Sequence, residues 1–290
     1  MAELVLGSTV RMDDVPSMPH IAAKVMRLVN DPDISAARLA AAISKDQSMT
    51  ARLLQVANSP FYGRSKAVKT IQEAVVLIGY PAVKGLVIST SARHLVKDPG
   101  LLEVLLWDQS VAAAFAAHEI AHVTGLINSD EAFTAGLLHT ITRVVMAFFD
   151  RARYVRVMKE CYNANYDIAE ILKAEQRVFG YSHPDLGSLI ATKWRLSEDL
   201  RGAMQYYHLM TQEALDAAED RIASSNAVMV VSLASRFTYR LGIGIRLPLE
   251  IDVAGHVAAR RLRLSADRIN EMLIKTKTTF DEQKAHFSLK

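Results

Sequence analysis

The sequence predicts an all-α fold. Three observations carry that prediction. Apolar residues recur at helical spacing through nearly the whole chain. Capping residues and stop signals recur between those segments at helix-length intervals. No segment shows the alternation, bounded by turns, that marks a strand.

The elements follow in order. Ile21, Val25, Leu28 and Val29 share one helical face, Pro19 suits a first turn, and Asn30-Asp31-Pro32 ends the run. Ser35 reads as an N-cap, with Leu39 and Ile43 on the face behind it. A third helix begins near Ser48, carries Leu53, Leu54 and Val56, and stops at Asn58-Ser59-Pro60, because the residue before a proline resists the helical region. Thr70-Ile71-Gln72-Glu73 has capping-box spacing, and Gly79 can close that helix in the left-handed region. The next helix runs from about Pro81 to Val96. Asp98-Pro99-Gly100 then marks the best boundary in the chain.

Beyond it, Trp107 to Thr124 reads as one long helix closed by Gly125, and Glu131 to Phe149 as another. Asp167-Ile168-Ala169-Glu170 repeats the capping-box spacing, with Gly180 as the stop. Ser182 to Trp194 is shorter, and Ser197 caps the helix after it. Ala218 to Leu241 is long, and its stretch Ile222–Ser235 carries no charge on any face, which places it at the centre of a core. Leu241-Gly242-Ile243-Gly244 is a softer break. Ser265 caps a last helix toward Phe280, after which the end is expected to fray.

Composition excludes several classes. Of 290 residues, 50% are hydrophobic and 22% charged, which is too apolar for a disordered chain. Cys161 is the single cysteine, so no disulfide can form within the chain, and a reducing cytoplasm is expected. The longest stretch without Asp, Glu, Lys or Arg, Ile222–Ser235, has 14 residues, short of a membrane span. MAELVLGSTVRMDD lacks the basic start and apolar core of a secretory signal. A net charge of +3 selects neither nucleic acid nor an acidic partner.

Each motif has an ordinary reading beside its functional one. His118-Glu119-Ile120-Ala121-His122 has the H-E-x-x-H spacing of a zinc peptidase. A third ligand is missing, since Asn128 stands where one branch needs a His and Glu131 is too near for the other, so ordinary histidines on a helix are expected. Ser35 to Ala57 has the outline of a helix-turn-helix, but Arg52 and Gln55 are its only outward polar groups on the reading helix and Asp46 faces phosphate with the wrong charge. Arg260, Arg261, Arg263 and Arg268 are mixed with acids and read as a solvated face. Cys161 reads as a packing residue.

Several segments taken together resemble the HDOD family, the HD-related output domain of bacteria. They are Val15-Pro16-Ser17-Met18-Pro19, Asn30-Asp31-Pro32-Asp33-Ile34-Ser35, Leu39 to Asp46, Thr50 to Ser59, Phe61-Tyr62-Gly63 and Thr70 to Gly79. Ala132 to His139, Phe179-Gly180-Tyr181-Ser182-His183 and Tyr207-His208 continue the likeness, which covers roughly residues 10 to 245. The resemblance implies an N-terminal helical subdomain over 10–98, packed on a degenerate HD-like helical subdomain over 99–245. A helical extension over 246–290 follows.

The family is similar in fold to HD-type phosphohydrolases, which hold metal with a lone His, a His-Asp pair and a later Asp. By this resemblance those positions are Gln109, His139-Thr140 and Ser235, so only His139 keeps a ligand. Gly79-Tyr80-Pro81 spells the letters of an HD-GYP signature but precedes any HD-like element, and reads as a helix cap and restart. The resemblance therefore implies a non-catalytic cytoplasmic signalling or scaffold protein without metal or cofactor. It would bind other signalling proteins, with a nucleotide-type ligand as a further candidate and neither nucleic acid nor membrane as a partner. The groove between the two halves is the expected binding place, with Asn58, Phe61, Tyr62 and Gly63 as its rim. The ordinary reading of Phe61 and Tyr62 is that they lock their loop to the core. Two alternatives stand beside this: a residual phosphohydrolase using His139, His183 and His208, and nucleic-acid binding through Ser35–Ala57.

Overall fold

The computed structural model describes residues 17–18, 20–63, 67–93, 99–162, 166–209, 211, 214, 216–218, 225–245 and 248–288. It is all-α: 75% of the described residues are helical, and none of them forms a strand.

Five helices form the N-terminal part: α1 (His20–Val29), α2 (Ala36–Ile43), α3 (Gln47–Ala57), α4 (Ile71–Ile78) and α5 (Tyr80–Arg93). Ser35 caps α2 by accepting from the Arg38 N–H, and Thr70 caps α4 by accepting from the Glu73 N–H. α3 begins at Gln47, as expected near Ser48, and Asp46 caps it by accepting from the Met49 N–H, so its charge serves the helix start. Gly79 has a positive φ of 80° but an extended ψ of 152°, which turns the chain directly into α5 rather than closing a left-handed cap. The expected end of α5 at Val96, and most of the Val15–Pro19 motif, lie outside the described residues.

The second part is built around α6 (Leu101–Thr124), which packs against α7 (Ser129–Leu138), α8 (Ile141–Phe149), α13 (Ser225–Leu241) and α15 (Ala266–Phe287). α6 starts at Leu101, six residues before Trp107, because the buried Glu103 carboxylate accepts from the Gly100 N–H and supplies an N-terminal box. Gly136 lets α7 lie directly on it: a Cβ there would sit 2.6 Å from Ala113 O. Gly85 does the same between α5 and α7, where a Cβ would meet Thr134 Oγ1 at 2.6 Å. Thr134 Oγ1 donates to Pro81 O at 2.8 Å, tying the N-terminal helices to the larger part.

The single helix expected over Glu131–Phe149 is two. The chain breaks at His139-Thr140, where Thr140 (φ −112°, ψ 5°) leaves helical geometry and its hydroxyl bonds to Ser110 Oγ at 2.8 Å. Apolar periodicity runs through both pieces and hides the break. Ser129–Phe149 is long and apolar enough to cross a membrane, but 89% of its most apolar window is buried within the fold.

The remaining helices are α9 (Arg151–Cys161), α10 (Ile168–Phe179), α11 (His183–Lys193), α12 (Glu198–Tyr206) and α14 (Val257–Arg261). Gly125 and Gly180 close α6 and α10 in the left-handed conformation, as expected. Arg195 and Arg263 take positive φ just beyond α11 and α14, where no glycine marks the stop. α13 is described from Ser225, and its apolar residues Val228, Val230, Leu233 and Phe237 form a second core cluster with α6, α14 and α15.

The chain end is anchored rather than frayed. α15 reaches Phe287, which is buried between Phe115 and Phe133 at ring distances of 5.1 and 6.0 Å. Trp107 Nε1 donates to Phe287 O at 2.6 Å, and an Arg52 N–H donates to His286 O at 2.8 Å. One helix thereby fastens the N-terminal α3 to the central α6.

Candidate functional site

The helix break at His139-Thr140 places a polar cluster inside an apolar core. His139 is fully buried; its Nδ1–H donates to Gly136 O at 2.6 Å, while Nε2 has no hydrogen-bond partner. Burial pushes its imidazole down to about 3, so it is neutral. Gln109 reaches the cluster from α6, its Oε1 accepting from Arg143 at 3.2 Å and its Nε2 unpartnered. Ser235 comes from α13 with a buried, unpartnered hydroxyl.

The residue that organises the cluster is Arg143, on the first turn of α8 and 0% exposed. Its Nε donates to Tyr154 Oη at 2.8 Å, and Tyr154 donates on to Glu175 Oε1 at 3.0 Å. Glu175 Oε2 accepts from the His183 N–H at 2.8 Å and from His183 Nδ1–H at 2.6 Å. Tyr207 Oη closes the chain on His183 Nε2 at 2.5 Å. Burial opposes the Glu175 charge, but His183's hydrogen bonds and Arg143 hold its carboxyl below the usual range. Burial drives His183 the other way, so the pair is a carboxylate and a neutral imidazole. Arg143 keeps its charge against burial through Tyr154 and Glu175.

This is a closed charge pair joined through hydrogen bonds, and it does not fit a divalent metal. Hard cations need anionic oxygen ligands. Gln109, Thr140 and Ser235 offer none, and the guanidinium hydrogen-bonded to Gln109 adds positive charge beside them. Glu175 and both ring nitrogens of His183 are already engaged. His208, pushed down to about 4 by burial, contacts the Tyr207 ring at 5.9 Å. No group of three His, Cys, Asp or Glu among the described residues is placed to hold a metal.

The other candidates lie elsewhere. Phe61 packs among Tyr62, Phe115 and His118 at ring distances of 5.0, 5.0 and 5.1 Å, and Gly63 (φ 59°) turns the chain away. Asn58 clasps Val68, its Oδ1 accepting from the Val68 N–H at 2.7 Å and its Nδ2 donating to Val68 O at 2.9 Å. The loop is fastened to α6 and α7, and it does not line the cleft between the two halves described below. In the H-E-x-x-H segment, Glu119 pairs with Lys275 at 2.6 Å. Arg52, expected to point outward, is 5% exposed and spent on the chain end, which leaves α3 without its main base-reading group. In the basic segment Arg261 pairs with Asp216 and Arg268 with Glu271.

Arg143, Tyr154 and Glu175 were not among the residues singled out in the sequence. Two signals were present. Arg143 is the one charge between Ala132 and Phe149, and Glu175 continues the apolar stripe Ile168, Ile171, Ala174 of α10.

Comparison with known proteins agrees with the fold. The HDOD domain profile matches residues 15–210. A solved HDOD domain protein from Geobacter sulfurreducens shares the fold at a TM-score of 0.73 and 24% identity, covering 95% of this chain and 93% of that one. A Shewanella amazonensis SB2B protein that carries a phosphohydrolase name aligns at 0.71 and 21% identity, over 96% of each chain. A Marinobacter aquaeolei VT8 protein named for signal transduction aligns at 0.73 and 18% identity, over 98% of this chain and 62% of that one. An uncharacterized Treponema pallidum protein is 26% identical over 203 residues; this chain spans 68% of itself and only 38% of that relative in the match.

Proposed function

We propose that this chain, which belongs to the HDOD domain family, is a non-catalytic signalling module that acts in the cytoplasm by binding other proteins. One observation carries the reading: a buried guanidinium, Arg143, is hydrogen-bonded to Gln109, at the position where the family resemblance puts a metal-binding histidine. Water activation for phosphoester cleavage needs a metal with an open coordination position. Here the donors are a neutral amide, two hydroxyls and one imidazole, and the Glu175 carboxylate is bound within the Arg143–Tyr154–Glu175–His183 chain. The Arg143–Tyr154–Glu175–His183 chain stiffens the core, which suits it to presenting a fixed outer surface.

The test uses purified protein grown with added manganese, iron and zinc. Elemental analysis should find no stoichiometric metal, and a generic phosphodiester should not turn over. A pull-down from the native cytoplasm should recover a reproducible protein partner. Stoichiometric metal that is lost on His139→Ala, together with phosphodiesterase turnover, would establish the enzyme instead.

A further inference from the structure

A cleft of about 330 Å³ opens between the two halves of the molecule, away from the Arg143 network. Its walls come from the end of α1, the start of α5, α7 and the start of α12, with Lys84, Glu131 and Asp199 as its charged groups. That volume is at the small end of the range for small-molecule sites and too small for a folded partner. Its floor is fixed, because the Thr134–Pro81 hydrogen bond and the Gly85 contact hold α5 and α7 together.

Lys84 is the unusual group. It is partly buried, and its ammonium makes neither an ion pair nor a hydrogen bond among the described residues. Burial lowers its proton affinity, with the Glu131 charge opposing that. The Glu131 and Asp199 carboxylates are exposed, make no ion pair among the described residues, and stand in the first turns of α7 and α12. A simple anion entering the cleft would meet two carboxylates, and a simple cation would meet Lys84. A molecule that carries both charges meets an opposite charge on each side of the cleft, and the apolar lining of Val29, Ile127 and Leu200 can take an uncharged body.

We infer that this cleft binds a small zwitterion with an apolar side chain, of the free α-amino-acid class. Lys84 receives its carboxylate, and Glu131 and Asp199 receive its ammonium. Placed between the halves, the site would join ligand occupancy to their packing, independently of whether the Arg143 site is catalytic.

The experiment is calorimetric titration of the full chain with L-leucine and L-phenylalanine. Two leucine analogues serve as controls, 4-methyl-2-oxopentanoate without the ammonium and 3-methylbutylamine without the carboxylate. One of the amino acids should bind saturably, with each analogue about tenfold weaker or worse, as expected for losing a charge-assisted contact. Lys84→Met and, separately, Asp199→Asn should weaken it by about tenfold. Lys277→Met, remote from the cleft, should not. Melting curves would show that each variant is folded, and either one suffices if the other fails. Absence of saturable amino-acid binding, equal binding of the oxo acid, or full binding by a folded Lys84→Met protein would each overturn the inference.

Discussion

Replacing Arg143 by Met should be among the most damaging single changes in this protein. The side chain is 0% exposed, and so is Glu175, to which it is linked through Tyr154. Methionine fills much of the volume but removes the only cation in the chain of bonds. A carboxylate left buried without its partner costs about 3–5 kcal/mol, a large share of a typical domain's stability. Arg143→Met with Glu175→Gln removes both charges and should recover at least ~1–2 kcal/mol of that loss, since glutamine can still accept from His183. The pH dependence has a definite sign. In the native chain Glu175 titrates below its unfolded value, so its contribution is present at neutral pH and fades as pH falls through the folded value. Without Arg143 burial meets less opposition and the folded value moves up, so the stability that Glu175 contributes at neutral pH shrinks. The assay is urea unfolding followed by circular dichroism, near pH 5 and near pH 8. A loss under about 1 kcal/mol, or no rescue by Glu175→Gln, would refute the account of Arg143 as the organising charge.

Three further outcomes are expected. Phe287→Ala, removing the ring held between Phe115 and Phe133, should cost about 3–5 kcal/mol in chemical denaturation and expose the α15 end to proteolysis. Gly136→Ala should lower the melting temperature by an amount equivalent to about 1–3 kcal/mol, because the new methyl meets backbone at 2.6 Å and α7 must move off α6. Cys161 is buried, and its thiol is pushed up to about 11 by burial, so a thiol reagent at neutral pH should label it only on unfolding, which time-resolved absorbance would report.

Much of the helix order was legible because caps are local chemistry. Ser35, Thr70, Asp167, Ser197 and Ser265 each bond within their own first turn, so three or four residues suffice to read them. Three of the misread points involve partners distant in sequence. The break at Thr140 depends on Ser110, 30 residues away, and the order of the last turn of α15 depends on Trp107, 180 residues away. Arg52 looked like a surface cation because nothing near it in sequence shows that His286 O will be its acceptor.

The four positions that the family resemblance assigns to an HD-like site divide in the same way. Sequence alone determined which residue types stand there and that Gln109, Thr140 and Ser235 bring no anionic oxygen to a metal, because ligand chemistry belongs to the side chain itself. It also determined the all-α class, because amphipathic period and caps are written along the chain. Only the tertiary structure decided what stands beside those positions. Arg143, Glu175 and His183 come from α8, α10 and α11, and their meaning depends on being buried together with matched donors and acceptors. A charge in an apolar segment costs several kcal/mol unless a partner meets it, and whether one does is a property of packing rather than of sequence order.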